Sequence, residues 1–181
     1  MLANGGDFAP LRHLAAESAA KPLRLLSPEA AFMVRSILAD NPRPDGTAAQ
    51  GQSVAWKTGT SWGFRDAWSA GVFGHYALVV WVGNFDGSSN AALVGAQIAA
   101  PLFFRIVDAL REQSSREPDR LLYPPAGVLQ VQVCAASGDL PNADCPRRAP
   151  AWFIPGKSPI RVSIVHRRVA VDTRTGERAC E

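Results

Sequence analysis

The apolar positions of this chain change period several times, and each change marks an element. Ala30, Ala31, Val34, Ile37 and Leu38 recur at helical spacing, which predicts a helix with those residues on its buried face. Ser27-Pro28-Glu29 starts it, with a serine N-cap, a proline in the first turn and a carboxylate near the positive end of the dipole. Asp40 to Gly46, which includes Pro42 and Pro44, ends it. Ser53 to Thr60 reads as a strand that begins apolar and ends polar, and Trp62-Gly63-Phe64 as the turn after it. Tyr76 to Phe85 is apolar on both alternating sets, Leu78, Val80 and Val82 against Ala77, Val79 and Trp81. That is the pattern of a central strand covered on both faces. Ala91 to Glu112 reads as a helix with Ile98, Leu102, Ile106, Val107 and Leu110 inward, and Pro101 either kinks it or marks its start.

The ends of the chain are patterned differently. Leu2-Ala3-Asn4-Gly5-Gly6 reads as a helix end passing into a glycine turn, and Phe8 to Leu11 as a short strand. Ser114 to Pro125 is polar and proline-rich, the composition of a linker. Beyond it Val128, Gln130 and Gln132 alternate with Leu129, Val131 and Val133, an antiparallel strand with one wet face. The expected organisation is a domain over 1–113, a linker over 114–126 and a β-rich domain over 127–181.

Composition narrows the function classes. Hydrophobic residues make up 47% of the 181, enough to bury a core. A net charge of +3, scattered along the chain, does not argue for nucleic acid. No apolar run approaches the roughly 18 residues that a membrane span needs, and Met1 to Gly6 lacks the basic and apolar regions of a signal peptide. The cysteines are Cys134, Cys145 and Cys180. Cys134 and Cys145 close a short loop that contains Ser137-Gly138 and Pro141-Asn142, turn chemistry that suits a disulfide. His166 and three cysteines at these spacings match no standard zinc pattern, so no metal is expected.

The stretch with the most chemistry is Trp56-Lys57-Thr58-Gly59-Thr60. It sets a fixed positive charge beside two hydroxyls, with a glycine that keeps no side chain over the backbone. Strand alternation puts Lys57 and Gly59 on one face and Thr58 and Thr60 on the other. Such an edge can pair with an extended peptide and offer ammonium and hydroxyl groups to a carboxylate. Lys-Thr-Gly is also the third signature of serine β-lactamases and penicillin-binding proteins. Here Arg65-Asp66-Ala67-Trp68 follows it, then Trp81-Val82-Gly83-Asn84. In that order the segments resemble the transpeptidase domain of class A, bifunctional penicillin-binding proteins. Ala3-Asn4-Gly5-Gly6 fits the same family. So do Ser27 to Phe32 and Asp40 to Asp45, which are most similar to its 1C type. Trp152-Phe153-Ile154-Pro155-Gly156, Ser158-Pro159-Ile160 and His166-Arg167 resemble the small C-terminal β domain of that type.

The resemblance implies an α/β (α+β) fold: the C-terminal part of a serine β-lactamase-like transpeptidase domain, followed by a partial β-rich domain. It implies that Lys57 sets the electrostatics of the site, that Thr58, Gly59 and Thr60 hold the substrate carboxylate, and that the backbone N–H of Thr60 is an oxyanion donor. It also implies a parent on the periplasmic side of the bacterial inner membrane. That parent acts on peptidoglycan stem peptides and β-lactams, works alongside cell-wall synthesis partners and needs no cofactor. In the family a further cysteine stands shortly before His-Arg; here Ser163 occupies that region and Cys180 is left without an obvious partner.

Two segments mimic the other family signatures. Ser18-Ala19-Ala20-Lys21 spells Ser-x-x-Lys, yet it lies far too close to Lys57, and Pro22 disfavours helix at Lys21. Ser88-Ser89-Asn90 spells Ser-x-Asn but follows Lys-Thr-Gly instead of preceding it. The expectation is therefore one wall of an acyl-transfer site without its serine nucleophile, in a chain that is the C-terminal part of a longer synthase. Arg65-Asp66 reads either as a solvated ion pair fixing the loop or as part of the site. The alternative function is a non-catalytic module that binds peptidoglycan or a partner through Trp152 and Phe153.

Overall fold

In the computed structural model, which describes residues 1–12, 20–46, 53–113 and 123–179, a short 3-10 turn over Leu2–Asn4 ends at Gly5 in the left-handed conformation. Asp7–Phe8 (β1) then pairs antiparallel with Leu23–Arg24 (β2), and Arg24 meets the Asp7 carboxylate at 2.9 Å. The strand expected over Phe8 to Leu11 is thus shorter and one residue earlier. Ser27 caps the next helix, Pro28–Ala39 (α1), its hydroxyl accepting the Ala30 N–H at 3.2 Å.

The face of α1 differs from the expected one. Ala31, Phe32 and Arg35 are buried, whereas Val34 and Ile37 are 39% and 65% exposed. Phe32 and the long stem of Arg35 offer more apolar area than the two branched residues. The Arg35 guanidinium also reaches the Leu2 carbonyl at 3.4 Å, next to the start of the chain.

Ala55–Thr60 (β3), Asp66–Phe73 (β4) and Tyr76–Gly83 (β5) form an antiparallel sheet in the order β3-β4-β5. Ala99–Gln113 (α2) lies over one face. The core joins Trp56, Ala67, Phe73 and Val80 of the sheet to Ala99, Ala100, Phe103, Phe104 and Val107 of the helix. Gly71 makes this contact possible, since a Cβ there would stand 2.7 Å from the Phe103 ring and 2.9 Å from the Ala55 carbonyl oxygen.

Two expectations are corrected here. β5 is the last strand of the described sheet, and Val79 on its uncovered face is 60% exposed. Helix α2 begins eight residues later than expected, with Pro101 as its third residue, where the missing N–H costs no helical bond. Ile98 and Leu102 are half exposed because Phe103 and Phe104 claim the inner face.

Arg43 ties the segment after α1 to α2. Its guanidinium donates to both Asp108 carboxylate oxygens at 2.9 and 2.8 Å, and it lies 4.4 Å from the centroid of the Phe104 ring. The hydrogen bond from Arg43 holds the Asp108 carboxyl below its usual range. Its contribution is complete above the ordinary Asp range and fades as pH falls through the lowered value.

Contacts divide the chain into two units, Met1–Pro125 and Ala126–Glu181. The second is built on Leu129–Cys134 (β6) paired antiparallel with Arg148–Phe153 (β7). A disulfide joins Cys134 to Cys145, with Cα atoms 6.0 Å apart. Trp152 and Phe153 are half-buried in β7. Among the described residues, no helix is long and apolar enough to cross a membrane.

Candidate functional site: an open strand edge

β3 is the terminal strand of its sheet, so one of its edges has no strand partner among the described residues. Ser61 N–H donates to the Asp66 carbonyl at 3.0 Å. Because antiparallel pairs alternate, Gly59 and Lys57 bond across to Trp68 and Ala70. The backbone groups of Trp56, Thr58 and Thr60 therefore turn outward. Asn41 occupies the edge at Trp56: its amide donates to the Trp56 carbonyl at 2.7 Å, and the indole N–H donates to the Asn41 carbonyl at 3.1 Å. Further along, Lys57 Nζ donates to the Thr58 carbonyl at 2.8 Å.

The side chains separate as the alternation predicts. Lys57 shares the uncovered face with Trp68, Val79 and Trp81, while Thr58 and Thr60 lie on the face that α2 covers. Thr60 Oγ1 accepts the Gly95 N–H at 3.0 Å. A hydroxyl that accepts there keeps its own proton to donate elsewhere, and Thr60 is exposed. The edge thus presents a cation, a hydroxyl donor and outward backbone N–H groups within four residues. This is chemistry for a carboxylate or an oxyanion.

The loop beyond the strand holds the motif in place. Ser61 Oγ accepts the N–H groups of Arg65 and Asp66 at 3.2 and 2.8 Å, closing the turn at Trp62 to Phe64. Phe64 adopts φ 54°, a left-handed conformation unusual for an aromatic residue, and its carbonyl accepts from Asn90 N–H at 2.9 Å. No ion pair joins Arg65 to Asp66 among the described residues. Asp66 Oδ1 instead accepts the Trp81 indole N–H at 2.9 Å, because a strand residue and its neighbour point to opposite sides. Trp62 and Phe85 stand 95% and 99% exposed at this end of the sheet.

Ser18 lies outside the described residues, and Lys21 is exposed. Ser88-Ser89-Asn90 is an irregular polar segment after the turn that follows β5, where Ser88 N–H donates to Asp86 Oδ1 at 2.9 Å and Asn84 donates to Ser88. Asn90 Oδ1 accepts the Ala92 N–H at 3.0 Å. Cys180 also lies outside the described residues.

Comparison with known proteins bears on the whole arrangement. Residues 124–168 match the family described as penicillin-binding protein 1A, C-terminal domain. Penicillin-binding protein 1C of Escherichia coli (strain K12) is 36% identical over 140 residues, 75% of this chain and 18% of that protein. Penicillin-binding protein 1A of Clostridium tetani is 31% identical over 153 residues, 79% of this chain and 19% of that one. This chain is a relative of the penicillin-binding proteins. It spans about a fifth of the length of the curated relatives it matches. The crystal structure of penicillin-binding protein 1A from Haemophilus influenzae shares its fold, with a TM-score of 0.63 and 23% identity over 84% of this chain and 24% of that one. The α+β architecture is thus that of the C-terminal region of these proteins.

Asn41 and Gly95 are site-shaping residues that the sequence reading missed. Asn41 reads in sequence as a helix stop, and nothing local announces that its amide will bracket a strand. Gly95 has a clearer signal, a lone glycine inside a segment that otherwise reads as helix. A Cβ at Gly95 would stand 2.4 Å from the Gly59 carbonyl oxygen and 2.8 Å from that of Trp68. Gly95→Ala is therefore expected to push the loop off β3 and break the bond to Thr60. The cost is about 1–3 kcal/mol, the range for an overpacked contact. Urea unfolding of the 181-residue chain checks it, and an unchanged midpoint would remove Gly95 from the site.

Proposed function

We propose that this chain forms the carboxylate-binding wall of a penicillin-binding, D,D-transpeptidase site in a peptidoglycan synthase. The outward edge at Lys57-Thr58-Gly59-Thr60 is the observation that supports the reading. Residues 1–113 contribute the transpeptidase part, 114–126 the linker and 127–181 the C-terminal β domain. The substrate is a stem peptide ending in a free carboxylate, and a β-lactam competes for the same place. Lys57 supplies positive charge, Thr58 and Thr60 bind the carboxylate, and the Thr60 N–H stabilises the oxyanion. The serine nucleophile comes from sequence other than these 181 residues. The chain alone therefore binds but does not acylate, since losing a nucleophile costs several orders of magnitude in rate. In the complete synthase this site lies on the periplasmic side of the inner membrane.

The test has two arms. Incubation with a fluorescent penicillin is expected to leave no covalent label on the chain. Titration with a peptide ending in D-alanyl-D-alanine is expected to shift the amide resonances of Thr58 and Thr60, and Lys57→Ala to abolish the shifts. Covalent labelling would overturn the non-acylating reading; silent resonances would overturn the binding edge. The binding-module alternative rests on Trp152 and Phe153. Their half-burial in β7 gives it less support than exposed rings would.

A further inference from the structure

Outside this site, the second unit gathers three donors that the proposed function does not use. Cys134 Sγ, Cys145 Sγ and a ring nitrogen of His166 all lie within 4.8 Å of one another, with both cysteines buried and the histidine half-buried. Zinc binds sulfur at about 2.3 Å and imidazole at about 2.0–2.1 Å. Donors this close need only small side-chain adjustments to close on one ion. We propose that, once the disulfide is reduced, Cys134, Cys145 and His166 bind a single zinc-class divalent ion with a fourth position open to water. Disulfide and metal would then be alternative closures of the same loop.

The argument rests on how the three residues are held. The Cys134 N–H donates to the Asp139 carbonyl at 2.7 Å, and the Cys134 carbonyl accepts from Gly138 N–H at 2.8 Å. Cys145 N–H donates to the Asn142 carbonyl at 3.3 Å. The Asn142 amide in turn donates to the carbonyls of His166 at 2.8 Å and Ser163 at 3.0 Å, stitching the histidine segment to the Cys145 turn. Ser163 N–H adds a bond to the Leu140 carbonyl at 2.8 Å. Each donor residue is thus placed by hydrogen bonds to its main-chain groups that do not pass through the two sulfurs. Cutting the disulfide leaves those bonds to present the ligands together.

The chemistry balances with a dithiol as reductant. Two electrons and two protons pass to the cystine, giving two thiols, and the dithiol leaves as its own disulfide. Metal capture then releases both thiol protons, as the sulfurs bind as thiolates and His166 binds as neutral imidazole. A second disulfide, itself reduced to a dithiol, regenerates the Cys134–Cys145 bond only by expelling the ion.

Cobalt(II) is the probe, used on the full 181-residue chain carrying Cys180→Ser so that the third cysteine stays out of the readout. The reduced chain is expected to take up one equivalent, with sulfur-to-cobalt charge-transfer absorption and tetrahedral d–d bands that zinc abolishes. The oxidised chain is expected to show neither. His166→Ala is expected to weaken binding by more than the roughly 10–100-fold that losing an outer-shell partner costs. It keeps the Asn142 bond, which is to the main chain. His166→Asn repeats the test with a polar side chain. Absence of cobalt–thiolate bands in the reduced chain would overturn the proposal. So would equal uptake by the oxidised chain, or bands of undiminished affinity in both His166 variants.

Discussion

Trp56→Ala is expected to destabilise the first unit by about 3–5 kcal/mol, the range for deleting a buried indole. Trp56 is 7% exposed, packs edge-on to Phe104 with ring centroids 4.8 Å apart and stacks on Phe103 at 6.4 Å. It is also half of the reciprocal pair with Asn41, so truncation leaves that carbonyl without its indole donor. The effect reaches the site because Lys57 follows directly in β3. Faster amide exchange is expected at Lys57 and Gly59, whose bonds to β4 hold the strand. Far-ultraviolet circular dichroism through a urea titration measures the loss. Trp62→Ala is the control: at 95% exposure it is expected to move the midpoint by no more than about 0.5 kcal/mol. Equal effects from the two substitutions would mean that the core is not organised around Trp56.

That contrast shows what can be read from the sequence and what cannot. Both tryptophans flank Lys-Thr-Gly-Thr, yet one is core and the other solvent, because Trp56 lies in β3 under α2 and Trp62 lies in the turn beyond the strand. Signals complete within a few residues were legible. The Ser27 cap, the glycine turn at Gly5 and the alternation of Lys57 against Thr58 and Thr60 all appear where the local chemistry puts them. What depends on distant partners was not. Val34 and Ile37 have helical spacing, but the face of α1 follows Phe32 and Arg35. The run from Tyr76 is apolar on both sides, yet among the described residues only one face of β5 meets a helix. Arg65 and Asp66 adjoin in sequence, and the aspartate prefers an indole on the neighbouring strand.

Cutting the Cys134–Cys145 bond is expected to cost the second unit about 3 kcal/mol, from the entropy of a loop closed by residues 11 apart. Beyond the hydrogen bonds around Asn142, the unit has little apolar core to draw on. Its buried hydrophobic residues among those described are Val128 and the two cysteines themselves. A unit this small with so thin a core leans on its cross-link. The first unit has no part in that bond, and both helices lie within it. Cys134→Ser, or a dithiol added to the chain, is therefore expected to lower the melting of the second unit and leave the helical dichroism of the first unchanged. Calorimetry resolves the two transitions. Zinc added to the reduced chain, but not to the Cys134→Ser variant, is expected to raise the lowered transition again, because metal binding that needs the folded arrangement adds its free energy to folding. A transition indifferent to reduction would mean that the hairpin and the Asn142 bonds hold the unit without the cross-link.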